Sequence, residues 1–200
     1  MRLVLASASP RRKSLLTEMG LDFDVIPSAA DETVDPGTPP EDLVQTLAAR
    51  KALSVLEKAG EDAIVLGADT VVSLGGEIFG KPKDLADARR MITSLSGTTH
   101  EVYTGVCLCR GKESVSAPVC TKVTFSPISE HEIDTYLSSF SPLDKAGAYG
   151  IQDAGGLFVS RIEGDYYNVV GLPLSMVNRL LKLAFQTDLF AFAKQEERKR

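Results

Sequence analysis

The sequence predicts a single α/β domain built on a parallel or mixed sheet. Three observations carry that prediction. Short apolar strand signals alternate with stretches of helical periodicity along most of the chain. The run AIVLGADTVV at 63–72 is apolar on both faces at its start, as strands buried inside parallel or mixed sheets are. No internal repeat or linker divides the 200 residues, a length that one domain commonly reaches.

Leu3, Val4 and Leu5 form the first buried-strand signal. Pro10 opens a helical pattern over 11–19 that Gly20 closes, since proline suits a first helical turn and glycine an end. Phe23, Val25 and Ile26 predict a second strand, and the proline-rich stretch 31–40 a loop. A helix is expected over 41–58, then the strand 63–72 and a turn at Gly75 and Gly76. Asp84 reads as the N-cap of a helix carrying Leu85, Ala88, Ile92 and Leu95 at helical spacing, ending at Gly97. Residues 100–109 and 115–125 alternate about a polar turn at 110–112, which is the pattern of a hairpin. Ser129 with Glu132 forms a capping box, and Ile128 with Ile133 a hydrophobic staple, so a further helix starts there. The glycine-rich stretch 142–156 reads as loop, 157–162 as strand and 173–185 as a last helix. The domain is expected to occupy 1–187, with a charged tail at 188–200.

Composition excludes several functions. The 22 basic residues against 27 acidic ones leave a net charge of −5, which argues against non-specific nucleic-acid binding but not against a local basic pocket. No stretch approaches the roughly 18 apolar residues of a membrane span. Residues 2–9 imitate a signal sequence, but their apolar run of about five residues is too short for one and Arg11, Arg12 and Lys13 follow at once. A reduced, cytoplasmic setting is therefore expected, with no membrane partner. The three cysteines cannot all pair and none lies in a C-x-x-C, so they read as buried, inert thiols rather than zinc ligands. Neither of the two histidines has a partner pattern for a nucleophilic triad. Carboxylates, lysines, arginines and a recruited metal remain.

Five places carry such chemistry. In Ser7-Ala8-Ser9-Pro10-Arg11-Arg12, a strand delivers cationic side chains to a helix N-terminus, where arginine opposes the helix dipole. An anion among the free N–H groups, serine hydroxyls and guanidiniums resolves that conflict. Lys51 interrupts the apolar stripe of Val44, Leu47, Ala48 and Val55, so it must snorkel, pair or face a polar cavity. Asp69 ends an apolar strand, where a carboxylate suits a metal ligand, a general base or a simple turn. Lys81 sits between Gly80 and Pro82 on a constrained loop, and the chain has no P-loop. In DKAGAYGIQ at 144–152 the glycines allow close backbone approach, and Gln152 carries the paired donor and acceptor that a base edge requires. Glu32, in Ala30-Asp31-Glu32, is uninformative alone.

In order along the chain, SASPRR at 7–12, Ala30-Asp31-Glu32, Lys51, GADT at 67–70, GKP at 80–82, DKAGAYGIQ at 144–152 and GDYYNVVGLP at 164–173 resemble the Maf family of nucleoside triphosphate pyrophosphatases. The resemblance covers residues 3–183 and says nothing of the tail. It implies an elongated mixed sheet with flanking helices and two lobes around a central cleft. It implies hydrolysis of a nucleoside triphosphate to the monophosphate and pyrophosphate with Mg²⁺ or Mn²⁺, and it points to a homodimer. By the same resemblance Asp69 is the proton acceptor, and Ser7, Arg11, Arg12, Glu32, Lys51 and Lys81 belong to the polar cleft. On charge grounds Lys51 and Lys81 are expected to serve catalysis by neutralising the leaving group, and Glu32 with Asp69 to hold the metal. Ser7, Ser9, Arg11, Arg12, Thr70 and Gln152 then bind substrate. Arg11, Thr70 and Gln152 resemble the branch acting on dTTP and UTP rather than the one acting on 7-methyl-GTP. The rival expectation is a nucleotide-binding regulator of cell division without turnover.

Overall fold

A computed structural model describes residues 1–35 and 37–194. Within them a seven-stranded mixed sheet runs in the order β2-β1-β3-β5-β6-β7, with β4 paired to β3. The strands are β1 (Arg2–Leu5), β2 (Asp24–Val25), β3 (Ala63–Leu74), β4 (Glu77–Phe79), β5 (Thr99–Arg110), β6 (Glu113–Phe125) and β7 (Val159–Glu163). The helices are α1 (Pro10–Glu18), α2 (Pro40–Ala59), α3 (Leu85–Leu95), α4 (Glu130–Ser139), α5 (Tyr166–Val170) and α6 (Leu174–Phe185). The expected mixed α/β fold is what forms: β1 is parallel to β2 and β3, and every other pairing is antiparallel.

Alternation along the two long strands decides the layers. Val65, Cys107 and Cys109 point to one face, where Ala48, Ala52 and Val55 of α2 cover them. The opposite face carries two separate cores. Leu3, Leu5, Ile64, Leu66 and Leu108 pack against Leu15 and Leu16 of α1 and Val177 and Leu181 of α6. Farther along, Val72, Val102, Val123 and Phe125 pack against Ile92 and Leu95 of α3 and Ile133 and Tyr136 of α4. Between the two cores lie Thr70 and Thr104, which are cross-strand neighbours. These cores are the two lobes that the resemblance implies.

α2 lies unusually close to the sheet because Gly67 and Gly105 carry no side chain. A β-carbon on Gly67 would overlap the Ala48 carbonyl and stand 2.9 Å from the Ala52 β-carbon; one on Gly105 would overlap the Val44 carbonyl.

Local signals hold where they are strong. Asp84 caps α3 by accepting the Asp87 N–H, and the Ser129–Glu132 capping box is complete. The strand expected over 157–162 begins instead at Val159, because residues 154–158 coil into a 3₁₀ turn that leaves Leu157 exposed. Cys107 and Cys109 are buried, but Cys120 is exposed. Beyond α6, Asp188 caps a 3₁₀ turn whose Phe192 is buried, and Ala193 bridges Leu21. The rest of the expected tail, 195–200, lies outside the described residues. Among the described residues no helix is long and apolar enough to cross a membrane.

Candidate active site

One edge of β3 is covered in two pieces. β1 pairs with residues 63–66 and β4 with 72–74, so the stretch between them meets no strand on that side. A cleft of about 610 Å³ opens there, beyond the C-terminal end of β1, where α/β sheets gather their ligands. Five cationic side chains line it (Arg11, Arg12, Lys51, Lys81 and Lys145) against three carboxylates (Glu32, Asp69 and Asp144). The cleft is thus net positive in a chain of net charge −5.

Ser7, Ala8 and Ser9 carry the chain from β1 into α1. The buried Ser7 Oγ accepts the Ser9 N–H at 3.1 Å and an Arg12 N–H at 3.3 Å. Ser9 holds the N-cap position but its hydroxyl makes no capping bond, and Pro10 follows. The first helical bond runs from the Lys13 N–H to the Ser9 carbonyl, so the N–H groups before it have no partner inside the helix. Together with the Ser9 hydroxyl they form a site suited to a phosphate.

The two arginines of the motif part company. Arg12 turns inward with Leu15 and Leu16 and is buried. Its guanidinium donates to the Gly171 carbonyl (2.7 Å), the Ala68 carbonyl (2.9 Å), Ser7 Oγ and Thr70 Oγ1 (3.0 Å). Burial pushes its pKa down, and Asp69 opposes that shift. Thr70 and Thr104 hydroxyls lie 2.9 Å apart, and Thr104 donates to the Asn168 carbonyl. The chain of bonds therefore runs from Arg12 through Thr70 and Thr104 to α5, which commits the Thr70 hydroxyl to the fold. Arg11 instead reaches across the cleft to Asp144, donating to its Oδ2 at 2.9 Å and its carbonyl at 3.3 Å.

Lys51 does not snorkel. It leaves the inner face of α2 with its side chain 13 % exposed, and its Nζ lies 2.6 Å from Asp69 Oδ1 and 2.8 Å from Glu32 Oε1. The hydrogen bond from Lys51 holds the Glu32 carboxyl below its ordinary value, against partial desolvation. Asp69 Oδ2 accepts nothing among the described residues, so one carboxylate oxygen remains free beside the cleft. No group of three or more His, Cys, Asp or Glu residues is placed to hold a metal among the described residues. Glu32 and Asp69, brought together on Lys51, offer two hard carboxylate donors, while Asp144 pairs with Arg11 and Lys145. That set fits a Mg²⁺-type ion, which takes one or two carboxylates and completes its shell with water and substrate phosphates.

Lys81 and Gln152 are exposed on the opposite wall and pair with nothing among the described residues. The Gly80 carbonyl accepts the Gly147 N–H at 3.1 Å, joining the Lys81 loop to the Gln152 loop. The structure thus gathers all the sequence candidates at one cleft. It adds Asp144, paired with Arg11 of α1, and Lys145, whose partners lie in loops without periodicity. Behind the cleft the buried Asn168 side chain ties α5 to Val102 and Thr121.

A mixed sheet with a cationic pocket at a strand end, and a lysine-held aspartate inside it, defines the class: an α/β protein built to receive a polyanion and set a carboxylate beside it. The chain belongs to the Maf-like protein family, whose model matches residues 2–184. It is 50% identical over 181 residues, 90% of this chain and 94% of the relative, to a dTTP/UTP pyrophosphatase of Bacillus cytotoxicus. A dTTP/UTP pyrophosphatase of Bacillus anthracis matches with the same identity and coverage. Among solved structures, the Ham1 protein of Staphylococcus aureus aligns over 96% of this chain and 94% of its own, with a TM-score of 0.44 and 10% identity.

Proposed function

We propose that the chain is a nucleoside triphosphate pyrophosphatase that acts on dTTP and UTP, releasing the monophosphate and pyrophosphate. The observation that carries this reading is Asp69, fixed by Lys51 inside a cleft of excess positive charge. The names of the 50% identical relatives support the same substrates.

A triphosphate brings about four negative charges, and phosphoryl transfer needs mainly positioning and charge neutralisation. The α1 N-terminus, Ser9, Arg11 and Lys81 receive the phosphates. Asp69 orients the attacking water and takes its proton on the free Oδ2. Lys51 keeps that carboxylate in place. Gln152 reads the base edge. Glu32 and Asp69 hold a divalent cation, Mg²⁺ or Mn²⁺, which neutralises charge on the phosphate oxygens when bound. Arg12 acts from below, holding Ser7 and Thr70 in register with the loop after α5.

The test is pyrophosphate release over a panel of nucleoside triphosphates with Mg²⁺. Release from dTTP and UTP ahead of the rest is expected. Binding without release from any nucleotide would replace this reading with that of a regulator, and preference for 7-methyl-GTP would move the chain to the other branch.

A further inference from the structure

We propose that Lys145 is a positioning residue for Gln152, and so sets base selectivity without touching the reacting phosphates. The inference rests on the base-reading role proposed for Gln152.

Lys145 is a buried cation, 8 % exposed, in the glycine-rich loop over 142–156. Its Nζ donates to the Ser141 carbonyl at 2.6 Å and to Asp144 Oδ1 at 2.7 Å, and it stands 3.4 Å from Asp153 Oδ2. Those partners bracket the loop. Ser141 and Asp144 lie at its start, and Asp153 at its end, directly after Gln152. One ammonium therefore ties the two ends together, and a buried cation with three donors is costly to leave without acceptors.

The loop is shaped for this clamp. The Asp153 N–H bonds the Gly150 carbonyl at 3.3 Å, and Asp153 Oδ1 accepts the Gly155 N–H at 3.0 Å. A β-carbon on Gly150 would lie 2.5 Å from Asp153 Oδ2 and 2.9 Å from Lys145 Cε, so only glycine lets the pair close beneath it. Arg11 grips the other oxygen of Asp144, which anchors the same loop to α1. Gln152 has no hydrogen bond of its own among the described residues. Its placement thus comes from its neighbour Asp153 and, through it, from Lys145.

The experiment compares Lys145→Met, which keeps the stem and removes the charge, with Lys145→Arg and Asp153→Asn. Steady-state pyrophosphate release is measured with dTTP, UTP, CTP and dATP. Lys145→Met and Asp153→Asn are each expected to raise KM for dTTP about tenfold and collapse its preference over dATP, with kcat within about twofold of wild type. Lys145→Arg restores part of the preference. Combining Lys145→Met with Gln152→Ala costs no more selectivity than Gln152→Ala alone, since the two act as one unit. Equal loss for every nucleotide, an unchanged preference or additive loss would overturn the proposal. Should Lys145→Met not fold, Asp153→Asn carries the same expectations. If wild type releases no pyrophosphate from any nucleotide, it is the functional reading that fails, and that result is distinct from unchanged selectivity in an active enzyme.

Discussion

Lys51 and Asp69 meet at 2.6 Å because α2 rests its backbone directly on β3. The contact is set two residues before Asp69, at Gly67, where a β-carbon would stand 2.7 Å from the Ala52 nitrogen. Gly67→Ala must therefore lift α2 off the sheet. Overpacking of this kind costs about 1–3 kcal/mol. The variant is expected to unfold at lower urea and to lose turnover beyond what its folded fraction explains, because the lift parts the ammonium from the carboxylate. Normal activity in a destabilised variant would show that the pair tolerates the displacement.

Asp69→Asn preserves size and an oxygen for Lys51 but cannot take a proton from water. Loss of a general base costs roughly 10²–10⁴ in rate, so kcat is expected to fall by that factor while nucleotide binding persists. A near-normal kcat would remove Asp69 from the proton transfer.

Much of the site was legible where local pattern and chemistry coincide. Lys51 stood out as a charge in the middle of an apolar stripe, and Asp69 as a carboxylate ending a buried strand. β4 and α5 were missed because three and five residues are too few to show a period. The different fates of Arg11 and Arg12 were readable in principle. Arg12 lies three and four residues before Leu15 and Leu16 and so between them on the helix face, whereas Arg11 lines up with Leu15 alone, at the edge of that face. The Lys145 clamp has no such signal, since its geometry exists only after the loop closes. The strand expected at 157 was displaced because Gly155 and Gly156 coil the chain before it can extend.

The inward turn of Arg12 makes a prediction of its own. Its planar fork serves four acceptors in fixed directions, and an ammonium has only three donors from one point. Arg12→Lys leaves a buried acceptor unsatisfied, at a cost of about 1–3 kcal/mol. Arg11→Lys alters a partly exposed ion pair with Asp144, a type of pair worth at most about 1 kcal/mol. Urea midpoints should therefore drop clearly for Arg12→Lys and little for Arg11→Lys. Equal midpoints would mean that the inward contacts carry no stability.

His100 lies inside the second lobe, edge-on to Phe125 and Tyr149, with Nε2 2.8 Å from the Tyr149 hydroxyl and Nδ1 without a partner among the described residues. Burial pushes its pKa down from 6.5 to about 4. The unfolded chain therefore binds a proton through this interval that the folded chain refuses. Stability from the neutral ring is complete above about pH 6.5 and is lost as pH falls, reaching roughly 3 kcal/mol below the folded value. Glu32 and Asp144, both held below their ordinary values, act in a lower window. For Glu32 the Lys51 hydrogen bond leads; for Asp144 desolvation leads but is outweighed by hydrogen bonds from Lys145 and Arg11. Their stability begins to be lost only as pH falls through the ordinary carboxylate range and is gone below the folded values. The decline between pH 6.5 and 5 thus belongs to His100. His100→Gln keeps a partner for the Tyr149 hydroxyl and cannot titrate. Urea unfolding at pH 7 and pH 5 is expected to show wild type losing stability over that interval and His100→Gln holding nearly level. An equal decline in both proteins would place the acid sensitivity elsewhere.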